Sequence, residues 1–270
     1  SLIGLAVGSL VSGAGFQELT SYQISQINDA QVTGLKVFQF FSAVGLFLIP
    51  AFVVPILFRE KLLRYLSLNK PPKLMPFMLV LPLLAIVYPF INWLNELNQA
   101  LTLPESLSWL MKWLKSTEKE NQQLIKTFVN MDSTGQYLLN VLVIAITAAV
   151  AEEFFFRGLI QRMLYQWYGR VHLAIIITAF LFSAFHMQFF GFLPRFFLGL
   201  ILGYLLLYTR TIWVPVFAHF VNNFAGITAA FLRQKGIVQV NMESQAAMNY
   251  PFATALVSLV LGGVIMFFLS

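Results

Sequence analysis

The sequence contains no cysteine. Disulfides, thiolate metal sites and a cysteine nucleophile are therefore excluded together. Charge is scarce as well: Asp, Glu, Lys and Arg make up 10% of the 270 residues, against 59% hydrophobic residues and a mean hydropathy of +0.76. A soluble domain is about a quarter charged, so a water-soluble fold of this size would lack the polar groups to cover its surface. Lipid is the expected solvent for most of the chain. Alternation of polar and apolar residues is missing too, which argues against an outer-membrane β-barrel. No long repeat is visible, and with it the matching halves common in transporters are missing.

What is present is a series of continuous apolar runs. A membrane-crossing helix needs about 20 mostly apolar residues. Such runs occur at 36–58, 74–92, 136–164, 171–190, 192–209, 212–232 and 251–270. The opening run 1–15 is shorter, lacks the basic flank of a signal peptide, and is expected to form a further span. The expected fold is all-α, a polytopic membrane helix bundle of about eight transmembrane helices. It would form a single integral membrane domain over residues 1–270. Small residues recur every four positions at Gly4, Gly8 and Ser12, and again at Gly199 and Gly203, as suits close helix contact.

The net charge is +6. Its Lys and Arg residues stand at the ends of apolar runs, where they anchor helices, so no nucleic acid is expected as a partner. Residues 59–73 hold Arg59, Lys61, Arg64, Lys70 and Lys73 against the acid Glu60. Arg162, Arg170 and Arg210 fall in turns on the same side of an eight-span bundle, and Lys36, Arg195, Arg233 and Lys235 in the opposite ones. The excess of positive charge on the first side predicts that both termini are cytoplasmic. Residues 93–135, with Trp93, Trp109, Trp113 and mixed charge, read as one or two amphipathic helices at the outer interface.

Of the eleven acids, only Glu152 and Glu153 sit in the middle of an apolar run. Carboxylates at that depth are costly and mark functional sites by default. Glu153 and Arg157 are four apart, acid first, which is the favoured order for an ion pair on one helical face. Glu152 points about 100° away, with no cation one turn from it. A carboxylate held alone in low dielectric takes up a proton readily, as a general base must.

The histidines sharpen this pattern. His172 opens a span and reads as interfacial, whereas His186 lies deep in the run 171–190. His219 and Asn223 are four apart and share a helical face. Counted inward at the helical rise, Glu152, His186, His219 and Asn223 all fall roughly 10–22 Å from the cytoplasmic ends of their spans. Three spans converging there would build a polar cavity; a buried network that merely holds helices together is the other reading of the same residues.

A carboxylate and an imidazole can position and deprotonate water, while a second imidazole and an amide can donate to an oxyanion. That equipment suits hydrolysis of an amide bond. An aspartic dyad is ruled out because both Asp residues, Asp29 and Asp132, lie in polar connections. A Gly-x-Ser-Gly turn with a nearby His is missing, and so is the zinc motif His-Glu-x-x-His.

In this the chain resembles the type II CAAX prenyl endopeptidases and their bacterial relatives, the CPBP or Abi family of intramembrane glutamic proteases. The resemblance rests on Glu152-Glu153 with Arg157, Phe182 with His186, and His219 with Asn223, in that order on successive segments. It covers about residues 136–232 as a catalytic core. It implies that Glu152 and His186 activate the water, that His219 and Asn223 stabilise the oxyanion, that Glu153 and Arg157 pair in support, and that Phe182 packs. It further implies no metal or other cofactor, and a substrate that is a membrane-associated peptide or a prenylated protein. Two alternatives remain at this level: a zinc-dependent variant with Glu152, His186 and His219 as ligands, and a non-proteolytic scaffold or transporter using the same cluster.

Overall fold

The computed structural model describes residues 29–70, 73–238 and 251–269. These residues are predominantly helical, with no strand among them. The helices are α1 (Ala30–Leu57), α2 (Leu62–Tyr65), α3 (Leu74–Gln99), α4 (Ser108–Val129), α5 (Thr134–Tyr168), α6 (Val171–Phe185), α7 (Phe192–Thr209), α8 (Trp213–Gln234) and α9 (Phe252–Leu269). Six of them are long and apolar enough to cross a membrane; α6 is apolar but shorter. Large side chains such as Leu57, Leu74, Phe180 and Phe267 are exposed along these helices, as lipid-facing residues are. The protein is an integral membrane protein of helical spans, and seven of the eight expected runs correspond to helices. The run 1–15, with Gly4, Gly8 and Ser12, lies outside the described residues.

Several boundaries and polar positions differ from the hydropathy reading. The first described helix begins near residue 30 rather than 36, and Lys36 lies inside it at 1% exposure instead of in a turn. Hydropathy cannot tell a polar residue facing protein from one facing water, and Gln31, Leu35 and Lys36 are all good helix formers. Arg195 likewise sits in the first turn of α7, where it donates to Gln188. The run 171–190 is interrupted: α6 ends at Phe185, and Met187 takes a left-handed conformation with φ of 51°. Residues 93–135 divide between the last turns of α3 and the amphipathic α4, which buries none of its residues fully.

The contacts gather into two compact units. The first comprises the described parts of Ser1–Leu62, Gln122–Phe155 and His219–Gln239. In it, α8 runs antiparallel to α5. The register is set by Tyr137 with Thr228 (3.0 Å), Asn223 with the Ile144 carbonyl (3.1 Å) and His219 with Glu153 (2.8 Å). At one end Gln234 latches the turn before α5, accepting from the Met131 N–H and donating to Asn130. Phe52 stacks on Phe154, bringing α1 against α5.

The second unit comprises Leu63–Asn121, Phe156–Ala218 and the described part of Val240–Ser270. Its core joins Val80, Leu83 and Val87 of α3 to Leu198, Leu202 and Leu205 of α7. Gly199 and Gly203 form the expected small-residue face of α7. A Cβ at Gly199 would lie 3.0 Å from the Ala179 Cβ, and one at Gly203 only 2.8 Å from Ile175 Cγ2, so only glycine lets α6 come this close. In α3, Pro89 interrupts the hydrogen-bond ladder. The Ser258 hydroxyl of α9 inserts there, accepting from Phe90 N–H and donating to the Ile86 carbonyl, which satisfies both groups away from water.

Candidate active site

Glu152 and Glu153 end an α-helical stretch of α5, and a wider π turn begins at Phe154. Such turns are frequent at functional sites. Glu153 is fully buried and His219 is 3% exposed. His219 Nδ1 lies 2.8 Å from Glu153 Oε1. An ionised carboxylate only accepts, so a charged Glu153 fixes the proton on Nδ1. That aims Nε2 at Glu152, whose Oε2 is 3.9 Å away. Glu152 differs from its neighbour in keeping its side chain 15% exposed. The two acids thus stand on either side of one imidazole, Glu153 wholly buried and holding the ring, Glu152 partly buried with its Oε2 turned inward toward the ring.

A second π turn of α5, Val141–Thr147, brings Asn223 into the same unit. Wider winding disturbs the ladder and leaves carbonyls for side chains to satisfy. Thr147 donates to the Leu142 carbonyl (2.8 Å) and Asn223 to that of Ile144 (3.1 Å). Asn222 donates to the Asn223 side-chain oxygen at 3.2 Å, which orients the amide. An amide nitrogen carries two protons, so Asn223 retains one donor beyond its bond to Ile144.

Arg157, Phe182 and His186 belong to the second unit. Arg157 is fully buried, donates to the Gly199 carbonyl at 3.1 Å, and lies 4.4 Å over the Phe182 ring. One turn on, Gln161 donates to the Gly203 carbonyl at 3.3 Å. The bare glycines therefore serve twice, admitting α6 and exposing carbonyls to two polar side chains. Phe182 is 1% exposed and also meets the His186 ring edge-on at 5.0 Å. Its ring thus lies between Arg157 and His186.

His186 caps the C-terminus of α6 instead of lying within a long span. A helix of 15 residues reaches about 22 Å, less than the roughly 30 Å hydrocarbon thickness. Its end therefore needs hydrogen-bond partners, and the chain supplies them. Asn98, 3% exposed, donates to the Phe189 carbonyl (2.8 Å) and accepts from Leu193 N–H (2.7 Å). Ser183 donates to the Phe192 carbonyl and Asn121 to that of Met187. His186 Nδ1 is 2.8 Å from the Phe182 carbonyl. A carbonyl only accepts, so this nitrogen carries the proton and Nε2 holds the lone pair of the neutral ring.

Sequence spacing did not disclose the Glu153–His219 contact or the Asn98 latch, because the partners are 66 and 91 residues apart. Asn98 at the polar end of an apolar helix, together with Gly191 and Pro194 punctuating the run beyond His186, was the available signal for the latch. Among the described residues no group of three or more His, Asp or Glu side chains is arranged to hold a metal ion.

Within the first unit, two adjacent carboxylates, an imidazole and an amide are carried on apolar helices, a set of groups that can serve hydrolysis. Residues 134–225 match the family model described as Type II CAAX prenyl endopeptidase Rce1-like. That segment contains the Glu152, His186 and His219 motifs, and the match agrees with the resemblance read from them. No curated protein and no solved structure matches the chain. The family match supports a protease of CAAX type, a hydrolase working in the membrane.

Proposed function

We propose that this protein is a glutamic-type intramembrane endopeptidase that needs no metal and hydrolyses membrane-associated peptides, including prenylated C-terminal CAAX-type sequences. Glu152, assisted by His186, takes a proton from water as the water oxygen attacks the scissile carbonyl carbon. Asn223 donates to the resulting oxyanion, and His219 does so from Nε2 when its ring carries both protons, Nδ1–H remaining with Glu153. Collapse breaks the C–N bond, and the proton held by Glu152 passes to the leaving amine. Glu153 and Arg157 support the motif helix, and Glu153 orients His219.

The observation that best supports this reading is the placement of His219, 2.8 Å from Glu153 and 3.9 Å from Glu152. Two ordinary hydrogen bonds of about 2.8 Å at a tetrahedral oxygen set their partners roughly 4.5 Å apart. A single water beside the Glu152–His219 gap can therefore touch both side chains. Base, positioned imidazole and second orienting acid follow the logic of an activated nucleophile held by a relay of three groups. His186 takes its role from the Phe182…His186 motif, with its lone pair fixed on Nε2 by the Phe182 carbonyl. The prenyl preference rests on the name of the matched family. The catalytic core is assigned to 136–232, α4 to the membrane interface, and both termini to the cytoplasm.

The test is digestion of a library of farnesylated and unmodified CAAX-type peptides by the reconstituted full chain in ¹⁸O-labelled water. Cleavage should place one label in the new C-terminal carboxylate. A folded preparation that cleaves no member of the library, or products that carry no label, would overturn the reading.

A further inference from the structure

Two cavities of the second unit share Tyr208 as a common wall. One, of about 560 Å³, lies where the N-terminus of α3 and the C-termini of α7 and α9 come together. Its lining includes Lys70, Lys73 and Arg210, with no acid among the lining residues. Thr211 lines it too. That residue is 3% exposed, yet its hydroxyl has no hydrogen-bond partner among the described residues. A buried hydroxyl left unsatisfied is unfavourable, and a ligand oxygen beside it would remove the cost. The second cavity, of about 530 Å³, has mainly apolar walls that include Leu83, Phe197, Ile201 and Met266, with the hydrogen-bonded pair His172 and Tyr204 also in its lining. A Cβ placed on Gly263 in its wall would meet nothing within 4 Å. Volumes of about 300–1,000 Å³ are usual for small-molecule sites.

The geometry points to a binding site for an anionic phospholipid, its phosphate among Lys70, Lys73, Arg210 and Thr211 and an acyl chain in the apolar cavity beyond Tyr208. The ends of membrane spans lie at the level of lipid headgroups, where clustered cations recruit anionic lipids. A zwitterionic lipid brings its own cation, which the three basic side chains repel. The pairing of a cationic chamber with an adjoining apolar one fits an amphiphile better than a free anion, which has no use for the second chamber. None of these residues belongs to the Glu152 site, so the inference stands independently of the protease reading.

The test uses the detergent-solubilised full chain, phosphatidylglycerol and phosphatidylcholine with identical acyl chains, and native mass spectrometry to measure retention. Phosphatidylglycerol should be retained preferentially. Each cation removed should weaken it roughly fivefold, so Lys70→Gln with Lys73→Gln should cost about twentyfold or more while leaving phosphatidylcholine unchanged. Arg210 adopts a left-handed conformation with φ of 55°, so Arg210→Asn, which tolerates that backbone, is the suitable third variant. Gly263→Leu should weaken both lipids by filling the chain cavity. Equal retention of the two lipids by the wild type, or a double variant that keeps its preference, would overturn the proposal. So would displacement of phosphatidylglycerol by millimolar inorganic phosphate alone, which would identify a simple anion site.

Discussion

Replacing Glu153 by alanine should unfold the protein far more readily than replacing Glu152. The Glu153 carboxylate is wholly buried and receives the His219 Nδ1–H at 2.8 Å, with His219 itself 3% exposed. Truncation strands that donor, at a cost of about 1–3 kcal/mol. The space vacated by the side chain adds roughly 1–2 kcal/mol. The sum, about 3 kcal/mol, corresponds to a fall in Tm of roughly 6–12 °C for a chain of this size. Glu153→Gln keeps the shape and an acceptor oxygen, so it should cost about half as much. A double-mutant cycle of Glu153→Gln with His219→Phe should return a coupling of about 1.5–3 kcal/mol, the range for hydrogen bonds to charged groups. Glu152 keeps its side chain 15% exposed and stands 3.9 Å from His219, so Glu152→Ala should cost under about 1 kcal/mol. The assay is thermal unfolding followed by tryptophan fluorescence at fixed detergent and lipid. A Glu153→Ala variant as stable as wild type, or a cycle with no coupling, would refute the claim that this carboxylate holds the imidazole.

Three further outcomes follow from the same geometry. Gly203→Ala should destabilise by about 1–3 kcal/mol, since the new Cβ would lie 2.8 Å from Ile175 and 2.9 Å from the Gln161 side-chain oxygen; an unchanged Tm would show that α6 and α7 are less tightly packed. Asn98→Ala should lower kcat by roughly tenfold or more with KM little changed, because it releases the turn that follows His186 while touching no substrate; full activity would remove Asn98 as a positioning residue. Strong chelators should leave peptide cleavage intact in protein shown metal-free by elemental analysis, and a loss restored by zinc would favour the metal-dependent alternative.

Much of this architecture was legible because lipid leaves few places for charge. In a chain with so few acids, a Glu-Glu pair inside an apolar run stands out without any structure, and the spacing of Arg157, His219 and Asn223 places them on helical faces. Span 192–209 is reproduced as Phe192–Thr209 for the same reason: apolar length and its polar ends coincide. Lys36 was misplaced because its polarity signals a turn to hydropathy, whereas the helix buries it against protein. The end of α6 was missed because Met187, Phe189, Phe190 and Phe192 keep the run apolar after the helix has stopped. Sequence periodicity reports which residues share a face of one helix and says nothing about the register between helices. That is why Glu153 was assigned Arg157 alone as a partner, although His219 lies within hydrogen-bond distance.

The central claim is that Glu152 is the base that readies water for attack. Its most direct test is the rate at which reconstituted Glu152→Gln cleaves a peptide that the wild type cleaves, with the variant's folding verified by its Tm. The account predicts a loss of about 10²–10⁴-fold with an unchanged Tm. Cleavage of that same peptide by Glu152→Gln at the wild-type rate would contradict it.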